Sequence, residues 1–137
     1  EFRTLYAEAN IPAQVIEFLD EMGDAWGAAD LVLSRGGASS IAEIRANRVP
    51  SLIAPYPWHT DNHQAANAKE LVGVGGAIIV DDEIEPSQNL GSIGLPLQSL
   101  LTKPQERERM FKALESLPQQ NAAEAIAQHL CSRSADL

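Results

Sequence analysis

Apolar residues set the rhythm of this chain before any motif does. It opens with Phe2, Leu5, Tyr6 and Ala9 at helical spacing. After the turn-like Asn10-Ile11-Pro12, the run from Gln14 to Phe18 reads as a short strand, and Leu19 to Met22 leads into a short helix through Trp26. From there the pattern sharpens. Ala29 to Leu33 predicts a strand, Ser34 to Ala38 a loop, and Ser39 to Asn47 a helix with Ile41, Ala42 and Ile44 at helical spacing. Val49 to Ala54 predicts a second strand and Pro55 to Asn62 a loop. His63 to Val72 predicts a helix with Ala65, Ala68 and Val72 facing inward, stopped by Gly73 and Gly75-Gly76, and Ala77 to Val80 a third strand.

Strand, helix, strand, helix, strand is the rhythm of an α/β domain, a parallel sheet covered by helices. Beyond Asp81 the Pro/Gly/Ser-rich stretch from Pro86 to Pro96 reads as loop. Gln98 to Leu101, Pro104 to Leu117 and Ala122 to Ser132 then form a helical tail, with Met110, Phe111 and Leu114 as one buried stripe. Trp26 and Phe18 are expected in the core.

Composition narrows the function more than the fold. A chain of 137 residues fits one domain, 1–137, able to bury about 68% of its unfolded surface. Ten Lys and Arg against 19 Asp and Glu give a net charge of -9, which argues against nucleic acid and anionic lipid as partners of this portion. The single cysteine, Cys131, favours a reducing, cytoplasmic setting and rules out zinc held by cysteine pairs. No run of 18 apolar residues is present, and Glu1 to Ala9 lack the order of a signal peptide. The chain lacks an initiator methionine and opens mid-pattern, so a piece of a longer protein is expected.

In an open parallel sheet, ligands bind beyond the carboxyl ends of the strands. Two loops qualify there, Ser34 to Ser40 and Pro55 to His63. The first joins Gly36 and Gly37, where backbone can approach a ligand closely, to Ser39 and Ser40, whose amides open a helix and suit a phosphate. It is neither a Walker loop nor a Gly-x-Gly-x-x-Gly fingerprint. Ser40 and Glu43 also fit a capping box; the alternative is that the Glu43 carboxylate accepts both hydroxyls of a ribose. Arg35 is either a solvated cation or a phosphate neighbour.

At the second loop Asp61 or Asn62 can cap a helix whose first turn places His63, Gln64 and Asn67 on one polar face, able to bond sugar hydroxyls or simply solvated. Tyr56 and Trp58 at the loop tip suit stacking on a sugar or packing the loop down. A metal held by His59, Asp61 and His63 has poor spacing. Asp81-Asp82-Glu83 reads as an exposed acidic turn rather than a metal site.

The stretch from Ala29 to Ile44, then Val49-Pro50-Ser51, then Asp61 to Ala68, resembles the MurG family of glycosyltransferases in order and spacing, and the likeness runs from about Tyr6 to Asp81. The resemblance implies the C-terminal, Rossmann-like half of a two-domain GT-B enzyme, with the N-terminal acceptor domain and its catalytic base absent from this chain. It implies UDP-N-acetylglucosamine as donor and a lipid-linked acceptor, lipid I becoming lipid II in peptidoglycan synthesis. The whole enzyme would be peripheral on the cytoplasmic face of the inner membrane, with no cofactor and no metal.

By the same resemblance Leu19 matches the backbone position that pairs with uracil and Met22 its neighbour. Arg35, Gly37, Ser39 and Ser40 match the diphosphate region, and Glu43 the ribose-binding acid. His63, Gln64 and Asn67 match the sugar-reading motif. The segment Tyr56-Pro57-Trp58-His59-Thr60 departs from the family pattern. Two other readings remain open at this point: a non-catalytic UDP-N-acetylglucosamine-binding subunit recruited by a membrane partner, and a related GT-B enzyme with another UDP-sugar or lipid acceptor.

Overall fold

The computed structural model describes residues 1–58, 62–118 and 122–134. Three parallel strands, β1 (Val32–Ser34), β2 (Ser51–Ile53) and β3 (Ala77–Ile79), lie in the order β1-β2-β3, with Val32 opposite Ser51 and Ser51 opposite Ala77. Helix α1 (Phe2–Glu8) and α2 (Met22–Ala28) precede the sheet. Helix α3 (Ala38–Asn47) joins β1 to β2, and α4 (His63–Val74) joins β2 to β3. After β3 come α5 (Pro86–Asn89), a π-helical turn (Leu90–Gly94), α6 (Leu95–Thr102), α7 (Pro104–Glu115) and α8 (Ala122–Ser134).

Alternation along the central strand divides the core. Ile53 points to one face and packs with Ile41 and Ile44 of α3, Ala68 and Leu71 of α4, and Leu114 of α7. Leu52 points to the other and packs with Ala54, Val80, Leu100 of α6 and Met110 of α7. Helices therefore cover both faces, as the α/β pattern predicts. Ile44, Leu52, Ile53 and Leu71 are fully buried, each stabilising the fold by about 1.5–3 kcal/mol.

Several boundaries differ from the expectation. The first strand starts at Val32 rather than Ala29, because the Ala29 amide closes α2 on the Trp26 carbonyl, and it includes Ser34, whose carbonyl accepts from the Ala54 amide. Gln14 to Phe18 forms no strand. No neighbouring strand pairs with it among the described residues; the Arg3 guanidinium holds the Val15 carbonyl instead, and Phe18, expected in the core, is 80% exposed. On α4 the inward pair is Ala68 and Leu71, three residues apart, while Val72 stays on the surface. On α7 Phe111 is likewise exposed, and Met110 and Leu114 alone form the buried stripe.

Gly73 does not stop α4. The stop is Gly75, at φ 85°: its amide bonds the Val72 carbonyl and that of Gly76 the Leu71 carbonyl, a Schellman ending. Gly76 lies so close under Leu114 that a Cβ there would overlap its side chain.

The segment from Pro86 to Pro96 is helical rather than loop. Pro86 occupies the first turn of α5, where its missing amide costs nothing. Before Pro96 the helix widens into the π turn, the Leu95 amide reaching back to the Leu90 carbonyl, so the chain passes a proline without breaking. Ile93 from that turn packs on the Leu52 side of the core.

Candidate functional site

The two loops singled out from sequence meet at the carboxyl edge of the sheet. Gly36 follows β1 at φ 85°, and a Cβ on it would lie 2.8 Å from Ile53 Cγ2 and 2.9 Å from the Gln64 carbonyl oxygen. Only glycine permits that approach of one loop backbone to the first turn of α4. Asn67 fastens the junction by donating from Nδ2 to the Gly36 carbonyl at 3.1 Å. Gln64 Oε1 accepts the Tyr56 amide at 2.6 Å, a bond that uses an acceptor position and neither of its two N–H donors.

Helix α3 begins at Gly37 without a side-chain cap; the Gly37 carbonyl accepts the Ile41 amide at 2.9 Å. Ala38, Ser39 and Ser40 are thus the first three helical residues, whose amides have no acceptor inside the helix. The capping box between Ser40 and Glu43 does not form, because the helix starts ahead of Ser40 and Glu43 turns elsewhere. Its Oε2 accepts the Trp26 indole N–H at 2.5 Å. Gly37 faces open space, with nothing within 4 Å of where a Cβ would stand.

Arg35 is held from three sides. Its guanidinium donates to the Ala54 carbonyl at 3.2 Å and to Asp82 Oδ2 at 2.5 Å, and its centre lies 5.6 Å from the Tyr56 ring centroid. Tyr56 therefore serves the loop as a platform for Arg35, while Trp58 is largely exposed. Asp82, read from sequence as an exposed acidic turn, has a side chain only 10% exposed. It also accepts from Asn89 Nδ2 and the Ile84 amide, both at 2.9 Å. Those bonds, Asn89 first, then Arg35, then Ile84, hold its carboxyl down to about 2.

The remaining expected residues lie on the approach to α2. Leu19 is half-buried and Met22, the first residue of α2, is exposed. Trp26, on the same helix as Met22, ties α2 to α3 through Glu43. Asn62 begins α4 in a left-handed conformation without capping it by its side chain, and His63 follows, exposed. His59 and Asp61, the other members of the metal and capping alternatives, lie outside the described residues.

Sequence reasoning missed Asp82, Asn89 and Trp26. For Asp82 a signal was present: it follows β3 on the same edge as the two loops, and the edge rule applies to three strands as well as two.

Among the described residues no helix is long and apolar enough to cross a membrane. Residues 1–130 match the glycosyltransferase family 28 C-terminal domain. Relatives include the UDP-N-acetylglucosamine--N-acetylmuramyl-(pentapeptide) pyrophosphoryl-undecaprenol N-acetylglucosamine transferases of Xanthomonas oryzae pv. oryzae (strain MAFF 311018) and Xylella fastidiosa (strain M12). The first is 38% identical over 127 residues, 93% of this chain and 28% of that protein. The second is 36% identical over 134 residues, 98% of this chain and 36% of that protein. The crystal structure of Acinetobacter baumannii MurG superposes with a TM-score of 0.80 at 30% identity, covering 95% of this chain and 39% of that one. The chain thus spans about a third of the length of these relatives.

Proposed function

Because the chain belongs to the family of glycosyltransferase family 28 C-terminal domains, we propose that it is the donor-binding half of an enzyme that moves N-acetylglucosamine from UDP to a lipid-linked acceptor. Its Rossmann-like sheet with helices on both faces and a helical tail is the fold of the C-terminal half of a GT-B glycosyltransferase. The carrying observation is the Gly36–Gln64 contact, which sets a helix start with free amides and a helix start with sugar-reading side chains against each other at one sheet edge.

In this reading the Ser39 and Ser40 amides and Arg35 face the diphosphate, Glu43 takes the ribose, and His63 and Gln64 read the hexose. Leu19 offers backbone to uracil beside Met22. Asn67 acts through the loop, since it holds Gly36 in place. An acceptor hydroxyl oxygen attacks the anomeric carbon as the bond to the diphosphate oxygen breaks, inverting the centre. UDP leaves with the electron pair, and the hydroxyl proton passes to a base in the rest of the longer enzyme. Fixed donors facing the diphosphate stabilise the charge that grows there without a metal ion. The acceptor is lipid I, on the cytoplasmic face of the membrane, and the product is lipid II.

Isothermal titration in EDTA tests the donor assignment: UDP-N-acetylglucosamine binds, more tightly than UDP-glucose, and absence of binding by either counts against it. Glu43→Ala weakens UDP binding while shifting stability by about 1 kcal/mol, the cost of an unpaired indole N–H. A collapse of stability with binding intact would make Glu43 a structural residue instead.

A further inference from the structure

Trp26 has no role in the donor site as described so far, yet it is the partner of that site's ribose-binding acid. We infer that Trp26 is a positioning residue that orients the Glu43 carboxylate toward the ribose hydroxyls of a uridine nucleotide, and so makes the site selective for ribose over deoxyribose. The inference rests on the donor-site reading above and adds to it a residue and a specificity.

The geometry has three parts. Trp26 is half-buried on α2 and packs against the core cluster of Ile41, Ile44 and Leu71, so its ring is fixed by the fold rather than by solvent. Its Nε1–H donates to Glu43 Oε2 at 2.5 Å, across 17 residues of sequence. A carboxylate offers about four acceptor positions on two oxygens, so one indole N–H occupies one and leaves the other oxygen whole. Two hydroxyls on adjacent ribose carbons need two such positions.

Without the indole, the side chain of Glu43, the sixth residue of α3, loses the bond that fixes its rotamer. The bond to Trp26 holds it toward α2, the helix that Met22 opens and Leu19 precedes in sequence. Trp26 thereby links the part of the chain assigned to uracil with the part assigned to phosphate.

The test compares UDP with 2′-deoxy-UDP on wild type and Trp26→Phe by isothermal titration. Wild type prefers UDP by about tenfold, the scale of one hydrogen bond to a charged group. Trp26→Phe shrinks that preference to about twofold while its affinity for 2′-deoxy-UDP stays the same, since the lost term is orientation of one bond. In a Glu43→Gln background Trp26→Phe has no further effect on the ratio.

Parallel weakening of both nucleotides, or an unchanged ratio, overturns the positioning role while the donor-site reading stands. Failure of wild type to bind either nucleotide rejects the donor site itself, and the positioning role with it. The wild-type protein supplies a measurement that needs no variant. The Trp26 indole N–H resonance moves on saturation with UDP and moves less with 2′-deoxy-UDP; an equal shift with both overturns the inference.

Discussion

Residues 1–21 and residues 31–80 carry apolar side chains at similar density, yet the structure treats them in opposite ways. In the second region Ile41, Ile44, Leu52, Ile53, Ala68 and Leu71 vanish from solvent. In the first, Phe2, Leu5, Tyr6, Ile11, Ile16 and Phe18 all remain exposed, and the bonds from Arg3 to the Val15 carbonyl close the segment on itself. The difference teaches that apolar rhythm reports local conformation, while burial depends on a partner surface in the fold. It also divides the proposed site. The phosphate and sugar end stands on the region with buried side chains, and the uracil end beside the exposed one.

The largest break in that contrast comes from Gly36→Ala. A Cβ at φ 85°, pressed on Ile53 and the Gln64 backbone, destabilises the domain by about 3 kcal/mol. Thermal denaturation shows the loss, and UDP binding disappears with it; a variant that melts and binds like wild type would dissolve the claim that the two loops are locked together. Asp82→Asn sharpens the contrast through pH. The folded-state carboxyl, near 2, lies below its ordinary value of 3.8, so its contribution to stability is complete above that value and lost as pH falls toward 2. Wild type therefore loses melting temperature between pH 4 and pH 2 in part through this group, and Asp82→Asn has a flatter profile over that window. Identical profiles would remove Asp82 from the account of Arg35. The smallest effect belongs to the exposed region: Phe18→Ser changes stability by less than about 0.5 kcal/mol by denaturant titration. A larger loss would show that the leading segment is packed after all.

Much of the buried region was legible because its signals are local. Helical spacing located α3 and α4, Gly75 and Gly76 marked the helix end, and the order of strands and helices gave the sheet. Three of the misreadings share one cause, dependence on residues far away in sequence. Gln14 to Phe18 has strand-like side chains, but a strand exists only beside another. Asp82 looked like one acid in an acidic turn because Arg35, its partner, lies 47 residues earlier. Glu43 satisfied a local motif, and a tryptophan on a different helix claimed it. Pro86 to Pro96 fails differently: its prolines and glycines advertise a loop, and a single wide turn ahead of Pro96 accommodates them in a helix.

The Schellman ending of α4 has a consequence for control of the sugar end. With Gly76 wedged beneath Leu114, the helix is pinned at its tail by α7, and twelve residues place its opening turn about 18 Å away. A helix is stiff along its axis, so a bulkier residue at position 76 would strain Leu114 first and, through the helix, the turn that carries His63 and Gln64, the residues proposed to read the hexose.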